Sequence, residues 1–398
     1  MSFNLDSSYV RDQNRLLVLA TLRKQRRLTR VDLARETNLS YPTVATILRE
    51  LEEDGFLRSR QADRRASGRR PMGVEFNPRA RLVAGLDLNS STPRAVLADL
   101  DGALVGDVAA GPTVREPDDL IPAALGTLEQ LLERHSVRPG LLLGVGVALR
   151  GALDLENEAV HFMEFPAPVR LVPALRERFG VPVWLDHNYN SALLAEHLYG
   201  AARDCQLVYR VNVGTGISAG ILVHGQIYRG AAGNAGEFGH VCVDPGGPEC
   251  SACGRRGCLE LYASARAIAR RARAGQEPAG EEETDRLVEE TASRALQGDP
   301  EAQAIFSGAA RALACGLADA VNVLNPEMVI IDGSVVRAYL PLVEEVQALL
   351  AKSVWPPSRD RLRVEASQLA GQVMLRGAVA LVLQEVFRIP QVRSERSC

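Results

Sequence analysis

Residues 233–260 read GNAGEFGHVCVDPGGPECSACGRRGCLE, and this stretch carries four closely spaced metal-binding side chains. They are one imidazole and three thiols, at His240, Cys250, Cys253 and Cys258. Such a set fills the tetrahedral shell of zinc and leaves no position open for water. Glycine and proline allow so short a loop to fold its ligands around one ion. The stretch therefore predicts one structural Zn2+ per chain, held by the loop 240–258, with Cys242 as a less favoured ligand.

Composition is that of a soluble globular protein. The 398 residues are 46% apolar and 24% charged, and they leave room for two or three domains. No run approaches the ~18 uncharged apolar residues of a membrane span, and the N-terminus lacks the apolar core of a secretory signal. Seven cysteines, four of them close together, favour a metal site in a reducing compartment over disulfides. We therefore expect a cytoplasmic protein with no membrane partner.

Charge divides the chain unevenly. Residues 1–80 carry 16 Lys and Arg against 10 Asp and Glu, whereas the remainder carries 30 against 39. A basic head on an acidic body is typical of a segment that touches nucleic acid. The alternative is a general preference for arginine, since Lys24 and Lys352 are the only lysines.

The head has the pattern of three helices followed by an extended segment. Leucines in 16–22 are spaced for an amphipathic helix. Thr29 is placed to cap a short second helix, and Ser40 to cap a third that tolerates Pro42 in its first turn. From Gly55 the chain becomes extended and then strongly basic. This layout predicts a winged helix-turn-helix.

Polar side chains on the third helix and in the wing are candidates for DNA contact. The set is Ser40, Tyr41, Thr43, Thr46 and Arg49 on the helix, with Arg69 and Arg70 in the wing. Hydroxyls, an aromatic edge and an arginine suit the major groove, and a basic loop can follow the phosphates. The alternative is a three-helix bundle with a polar outer face and a solvated linker.

The body, from residue 79 onward, alternates strands and helices. Apolar strand-like runs occur at 82–88, 141–149 and 328–333, with helical patterns between them. This alternation predicts an α/β fold.

The chain resembles the ROK family (repressors, open reading frames and kinases) over essentially its whole length. The likeness lies in 28–57 with SGRRP at 67–71, and in the stretch 233–260. Within the family, the chain resembles repressors of the xylose-repressor and N-acetylglucosamine-repressor type. The resemblance implies a winged helix-turn-helix over 1–78, followed over 79–398 by a two-lobed sugar kinase fold of the actin/hexokinase type.

Five residues are candidates for sugar binding by this resemblance: His187, Asn188, Glu237, His240 and Glu260. In the family the histidine binds zinc with one ring nitrogen and faces the sugar with the other. The two glutamates match residues that accept hydrogen bonds from sugar hydroxyls. For the glutamates the alternative role is support of the metal loop.

Three departures from the family's kinases predict that the body is not an enzyme. Asn188 stands where those kinases have the aspartate base, and an amide cannot accept the sugar's proton; Asp186 or His187 would replace it only by a shift of register. The nucleotide loop, 87–92, lacks both glycines that let ATP phosphates approach. The third loop, 332–334, keeps only one glycine, although Gly-Thr-Gly at 214–216 is intact.

These observations favour a sugar-responsive transcriptional repressor. It would bind a palindromic double-stranded operator as a homodimer or a dimer of dimers, and a small sugar would act as its effector. The alternative is an ATP-dependent sugar kinase that carries a DNA-binding head. A third hypothesis is a regulator that responds to a partner protein or a phosphorylated sugar.

Overall fold

The computed structural model describes residues 7–59, 73–114, 116–138, 140–154, 158–161, 167–369 and 371–388. The α-helices are α1 (Ser7–Gln25), α2 (Arg30–Thr37), α3 (Tyr41–Glu53), α4 (Leu120–Arg134), α5 (Leu171–Phe179), α6 (Asn188–Tyr199), α7 (Glu260–Ala263), α8 (Ala265–Ala272), α9 (Glu281–Leu296), α10 (Pro300–Leu324), α11 (Ser334–Ala338), α12 (Pro341–Ser353), α13 (Pro356–Arg359) and α14 (Val373–Val386). The strands are β1 (Arg27–Leu28), β2 (Leu57–Ser59), β3 (Val74–Phe76), β4 (Leu82–Asp87), β5 (Arg94–Asp99), β6 (Leu104–Ala110), β7 (Leu142–Leu149), β8 (Ala152–Asp154), β9 (Ala159–His161), β10 (Val183–His187), β11 (Leu207–Val213), β12 (Ile217–Val223), β13 (Gln226–Ile227), β14 (Met328–Asp332) and β15 (Arg363–Ala366).

The N-terminal head has the predicted winged helix-turn-helix. Thr29 and Asp32 form a reciprocal capping box at the start of α2, and Asn38 closes that helix in the left-handed conformation. Ser40 caps α3 by accepting a hydrogen bond from the Thr43 backbone N–H. The apolar stripe of α3 is buried, at Val44, Ile47, Leu48 and Leu51. The strands β1, β3 and β2 form an antiparallel sheet beside the helices.

The chain divides into two compact units. One comprises Met1–Leu149, Arg170–Leu185 and Ala378–Cys398, and the other comprises Arg150–Val169 and Asp186–Gly377.

The first unit is built on a five-stranded sheet in the order β10-β7-β4-β5-β6. Strand β4 pairs antiparallel with β5 and parallel with β7. Helix α4 covers β5 and β6, and Leu86, Leu97 and Leu128 are buried in the core. The sheet therefore holds the loop that follows β4 at the carboxyl end of a buried strand.

The second unit contains a five-stranded sheet in the order β13-β12-β11-β14-β15. Strands β11, β14 and β15 run parallel, whereas β12 and β13 continue the sheet with antiparallel pairing. Helices α10 and α12 pack on each other, and both contribute to a large apolar core. Helix α10 has the length and apolar composition of a membrane span, but half of that segment is buried. Its Phe306, Leu313 and Leu317 pack inside this core, which accounts for its apolar character.

Helix α6 is positioned by two close glycine contacts. A Cβ at Gly220 of β12 would lie 2.9 Å from the backbone oxygen of Tyr189, and a Cβ at Gly377 would overlap the backbone oxygen of Ser191. Only glycine permits this approach from both sides. The first residues of α6, which include the candidate sugar-binding Asn188, are therefore fixed against the sheet and against α14.

Candidate functional site

The four predicted metal ligands come together in the second unit. Their donor atoms all lie within 4.8 Å of one another, and Cys242 lies outside the group. Nδ1 of His240 lies 3.7 Å from Sγ of Cys250, and the sulfurs of Cys253 and Cys258 are 3.5 Å apart. Zinc with sulfur ligands at about 2.3 Å holds such ligands roughly 3.8 Å apart in a tetrahedron. The donor set and its spacing thus fit one metal ion.

Backbone hydrogen bonds shape the metal loop. The Cys250 N–H donates to the Arg255 oxygen at 2.7 Å, and the Gly254 N–H donates to the Cys250 oxygen at 2.8 Å. Gly254 and Gly257 both have positive φ, and a Cβ at Gly257 would overlap the Asp244 oxygen. The tight turn between the first two cysteines and the left-handed glycines explain how the ligands converge without a long loop.

One imidazole nitrogen faces the sulfurs. Nδ1 of His240 lies close to Cys250 and 3.6 Å from Oε1 of Glu260. With Nδ1 toward Cys250, the other ring nitrogen, Nε2, is not needed for the metal. Burial raises the pKa of the nearby Glu237, the His240 side chain opposes that effect, and the Glu260 carboxylate adds to it. The three predicted sugar-binding residues of the loop are therefore electrostatic neighbours.

Asp186, at the end of β10, is fully engaged by the protein. Its Oδ1 accepts from the His187 N–H at 2.7 Å and from the Asn190 amide at 2.8 Å. Its Oδ2 accepts from Nε and Nη2 of Arg229 at 3.0 and 2.6 Å. The carboxylate is only 1% exposed. Asp186 thus holds the start of α6 in place and has no free lone pair facing a substrate.

The two candidate sugar residues at the start of α6 have different environments. Oδ1 of Asn188 accepts from the Tyr189 N–H at 2.8 Å, so that oxygen serves the helix N-terminus. His187 is buried, and burial lowers its pKa; the Asp186 carboxylate and a backbone hydrogen bond with Gly151 oppose this effect, and Arg229 adds to it. Nε2 of His187 has no hydrogen-bond partner among the described residues.

The loop after β4 is closed by its own side chains. Oδ1 of Asp87 accepts from the backbone and side-chain nitrogens of Asn89 at 3.1 and 2.6 Å. Oδ2 of Asp87 accepts from Arg94 at 2.7 Å, and the Ser90 hydroxyl donates to the Thr92 oxygen. None of residues 87–93 has positive φ. The loop therefore lacks the bare backbone that a phosphate-binding turn presents.

The corresponding loop after β14 is also occupied by side-chain contacts. Asp332 pairs with the fully buried Arg210 and lies 3.5 Å from Nη1 of Arg337. Gly333 has positive φ, and a Cβ there would overlap the Val213 oxygen. This glycine is accounted for by close packing alone.

The candidate DNA surface lies on α3. Tyr41, Thr46 and Arg49 are exposed, whereas the Ser40 and Thr43 hydroxyls are 2.8 Å apart and bonded to each other. An open groove of about 430 Å³ runs beside them, lined by Val10, Arg11, Asn14, Pro42, Thr43, Thr46, Ile47 and Glu50. The wing residues Arg69 and Arg70 lie outside the described residues.

Two residues of this region were not identified from the sequence. Arg229 lies 43 positions from Asp186, which it clamps. Tyr189 is buried, stacks on His187 and follows Asn188 directly. For Arg229, the only signal in the sequence was its position shortly before the stretch 233–260.

Comparison with known proteins follows the two parts of the structure. The sequence model described as ROK family matches residues 83–385, and one described as winged helix-turn-helix DNA-binding matches residues 11–58. The chain is 29% identical over 395 residues to a putative xylose repressor from Caldicellulosiruptor sp., covering 96% of this chain and 98% of that protein. It is 29% identical over 360 residues to the DNA-binding transcriptional dual regulator NagC of Escherichia coli, covering 89% and 88%.

Solved structures show the same fold. A ROK family transcriptional regulator described as a homologue of the E. coli MLC protein superposes with a TM-score of 0.80 at 24% identity, over 94% of this chain and 96% of its own. The ROK hexokinase from Thermus thermophilus superposes with a TM-score of 0.66 at 29% identity, over 77% of this chain and 99% of its own.

Proposed function

Because the chain belongs to the ROK family, we propose that it is a DNA-binding transcriptional repressor whose ROK domain binds a sugar effector and does not phosphorylate it. The DNA-binding domain would comprise residues 1–78, and the ROK domain residues 79–398. The observation that carries the proposal is the combination, in one chain, of a winged helix-turn-helix with a ROK domain. Asn188 would stand at the position of the kinases' base.

The head supports specific DNA binding. Tyr41, Thr46 and Arg49 are exposed on the helix that such a domain places in the major groove. The Ser40 and Thr43 hydroxyls are hydrogen-bonded to each other in the first turn of this helix, and each would contact a base through its remaining hydrogen-bonding capacity. Arg69 and Arg70 would contact phosphates. A two-fold symmetric operator would then require a homodimer or a dimer of dimers.

The second unit supports a sugar site around the metal loop. Glu237, Glu260 and Nε2 of His240 would hydrogen-bond sugar hydroxyls, with His187 and Asn188 at the start of α6. The relatives named putative xylose repressor and N-acetylglucosamine repressor indicate the class of effector, a small sugar. The location of such a repressor is the cytoplasm.

Two local arrangements argue against sugar phosphorylation. Asn188 lacks a proton acceptor of suitable basicity, and Asp186, the neighbouring carboxylate, is held by Arg229 and two amide groups. The loop 87–92 is filled by its own side chains. Loss of the base alone removes about 100- to 10,000-fold in rate.

The metal is proposed to be zinc, with one structural ion per chain. Three thiolates and one imidazole are a ligand set that zinc favours, and the four protein ligands leave no coordination position for catalysis. When bound, the ion would stiffen residues 240–258 and fix the ring of His240. The residues themselves would then present Nε2 of His240 and the two carboxylates to the sugar.

The proposal is tested with the full chain and an operator selected from random-sequence DNA. Operator affinity is measured with and without D-xylose, D-glucose and N-acetylglucosamine, and sugar binding is measured by calorimetry. A sugar that binds should weaken operator binding, and operator should weaken that sugar's binding by the same factor. ADP release with ATP and the same sugar, at more than about 1 s⁻¹, would instead establish the kinase alternative.

A further inference from the structure

Tyr189 is the second residue of α6 and follows the candidate sugar-binding residues His187 and Asn188. It is 4% exposed, and its hydroxyl has no hydrogen-bond partner among the described residues. Its neighbour His187 is 3% exposed and likewise has an unpartnered Nε2. Two buried polar atoms without partners thus occur two residues apart, at the helix end where the candidate ligand residues lie.

The Tyr189 ring is held rigidly. It stacks on the imidazole of His187 with centroids 4.7 Å apart and planes 10° from parallel. A Cβ at Gly236 would lie 3.4 Å from its Cε2, and Gly236 itself has positive φ and lies against the Ala219 oxygen. The hydroxyl is therefore fixed in place before any ligand arrives, which limits the entropy lost on binding.

Electrostatics place this hydroxyl near the carboxylates. Burial raises the pKa of Tyr189, and the carboxylates of Glu237 and Asp186 raise it further. The hydroxyl consequently stays protonated and able to donate at physiological pH. Asp186 is already saturated by Arg229 and two amides, so it does not accept from Tyr189.

The missing hydrogen bond of the Tyr189 hydroxyl has an energetic cost in the unliganded protein. A buried hydroxyl without a hydrogen bond destabilises the protein, whereas phenylalanine of the same shape would avoid that penalty. The stacked, glycine-walled pocket would accept phenylalanine equally well. A bound ligand that hydrogen-bonds both the Tyr189 hydroxyl and Nε2 of His187 would supply the partners that these two atoms lack within the described part of the chain.

We propose that Tyr189 is a further ligand-binding residue of this site, whose hydroxyl hydrogen-bonds a hydroxyl group of the sugar while Nε2 of His187 accepts from the same part of the ligand. This inference rests on the proposed sugar-binding function. It assigns to Tyr189 a part in selecting the sugar, because a ligand without a hydroxyl at that position would leave both polar atoms unsatisfied.

The test compares Tyr189→Phe with a matched control, Tyr209→Phe. Tyr209 is also buried in the second unit, but its ring packs edge-on against Phe238 in the apolar core. Calorimetry with D-xylose, D-glucose and N-acetylglucosamine gives the affinity of each chain, and thermal unfolding without sugar gives its stability. Tyr189→Phe should bind the wild-type ligand about three- to tenfold more weakly. Its melting temperature without sugar should stay equal or rise, which a purely structural role of the hydroxyl would not produce.

The outcomes separate the two levels of the proposal. If the wild type binds a sugar and folded Tyr189→Phe binds it within twofold, the inference about Tyr189 is wrong and the sugar-binding function stands. Binding of no sugar by the wild type refutes the sugar-binding function and this inference with it. Should Tyr189→Phe not fold, His187→Phe keeps an aromatic ring in the stack and removes the other unpartnered atom. A similar loss of affinity in that variant supports the paired site, and unchanged affinity overturns it.

Discussion

The guanidinium of Arg229 donates two hydrogen bonds to a single oxygen of Asp186, from Nε at 3.0 Å and from Nη2 at 2.6 Å. The Asp186 carboxylate is 1% exposed, whereas the Arg229 side chain is about one-third exposed. The carboxylate is therefore shielded from water, and the guanidinium keeps some contact with it. The pair joins the segment before the metal loop to the end of β10, directly before α6. The position that presents candidate sugar residues therefore depends on an ion pair that spans 43 residues of sequence.

Arg229→Gln should destabilise the protein because it leaves a buried carboxylate without its charged partner. We expect a loss of about 2–3 kcal/mol, below the value for a fully buried pair because Arg229 keeps solvent contact. Urea unfolding measures it. Arg286→Gln, which breaks an exposed pair with Glu290, is the control and should change stability by less than about 0.5 kcal/mol. Adding Asp186→Asn to Arg229→Gln should recover part of the loss, and no recovery would argue against the ion pair as its cause.

Purified protein should contain about one zinc per chain after dialysis against a mild chelator. Cys258→Ser should lower that content to below about a tenth and lower the melting temperature, because a structural zinc contributes directly to folding. Cys242→Ser is the matched control, since Cys242 lies in the same loop but outside the ligand group. Elemental analysis measures both. Zinc retained in full by Cys258→Ser would show that the four-ligand assignment is wrong.

On a selected operator, Thr46→Ala should relax base preference at a defined position, and Arg49→Ala should weaken binding by about 1–3 kcal/mol. Both side chains are exposed on the outer face of α3. Arg69→Ala and Arg70→Ala should weaken binding to all sequences and reduce the salt slope by about one each. Arg286→Ala, on α9, serves as the charge-matched control. Equal affinity of the wild type for operator and scrambled DNA would contradict sequence reading by α3.

Local sequence spacing predicted the parts of this structure that are set locally. The caps at Thr29 and Ser40 and the buried stripe of α3 follow from short-range rules, and so does the metal cluster, whose ligands lie within one glycine-rich loop. The alternation of strands and helices predicted the α/β fold, which the ROK and winged helix-turn-helix matches confirm.

Contacts between distant positions were not predictable in this way. The Arg210–Asp332 pair spans 122 residues, and the pairing of β11 with β14 brings it together. The Arg229–Asp186 pair spans 43 residues and joins the segment after β13 to the end of β10. Gly236, from another part of the second unit, lies close to the Tyr189 ring. Periodicity reports which face of a helix is apolar, but it does not report which buried polar atoms lack partners.

Stability should depend on pH through His187. Burial is the main cause that lowers its pKa below 6.5, and the charged groups acting on it are Asp186, which opposes the shift, and Arg229, which adds to it. Near pH 7 the imidazole is neutral in the folded and unfolded chains alike. As pH falls through 6.5, the unfolded chain takes up the proton first, so stability decreases, by at most about 1.4 kcal/mol per pH unit, until the folded pKa is reached. The unfolding free energy should therefore fall more between pH 7.5 and about 5.5 in the wild type than in His187→Phe, because the other histidines contribute equally to both. Protonation of the folded chain would remove the acceptor at Nε2, but it requires a pH below the lowered pKa of His187, so sugar affinity of the wild type should weaken only below the interval in which stability falls. An identical pH dependence of stability in the two proteins would mean that His187 titrates normally in the folded chain, and the neutral, buried acceptor proposed for the sugar site would then be lost.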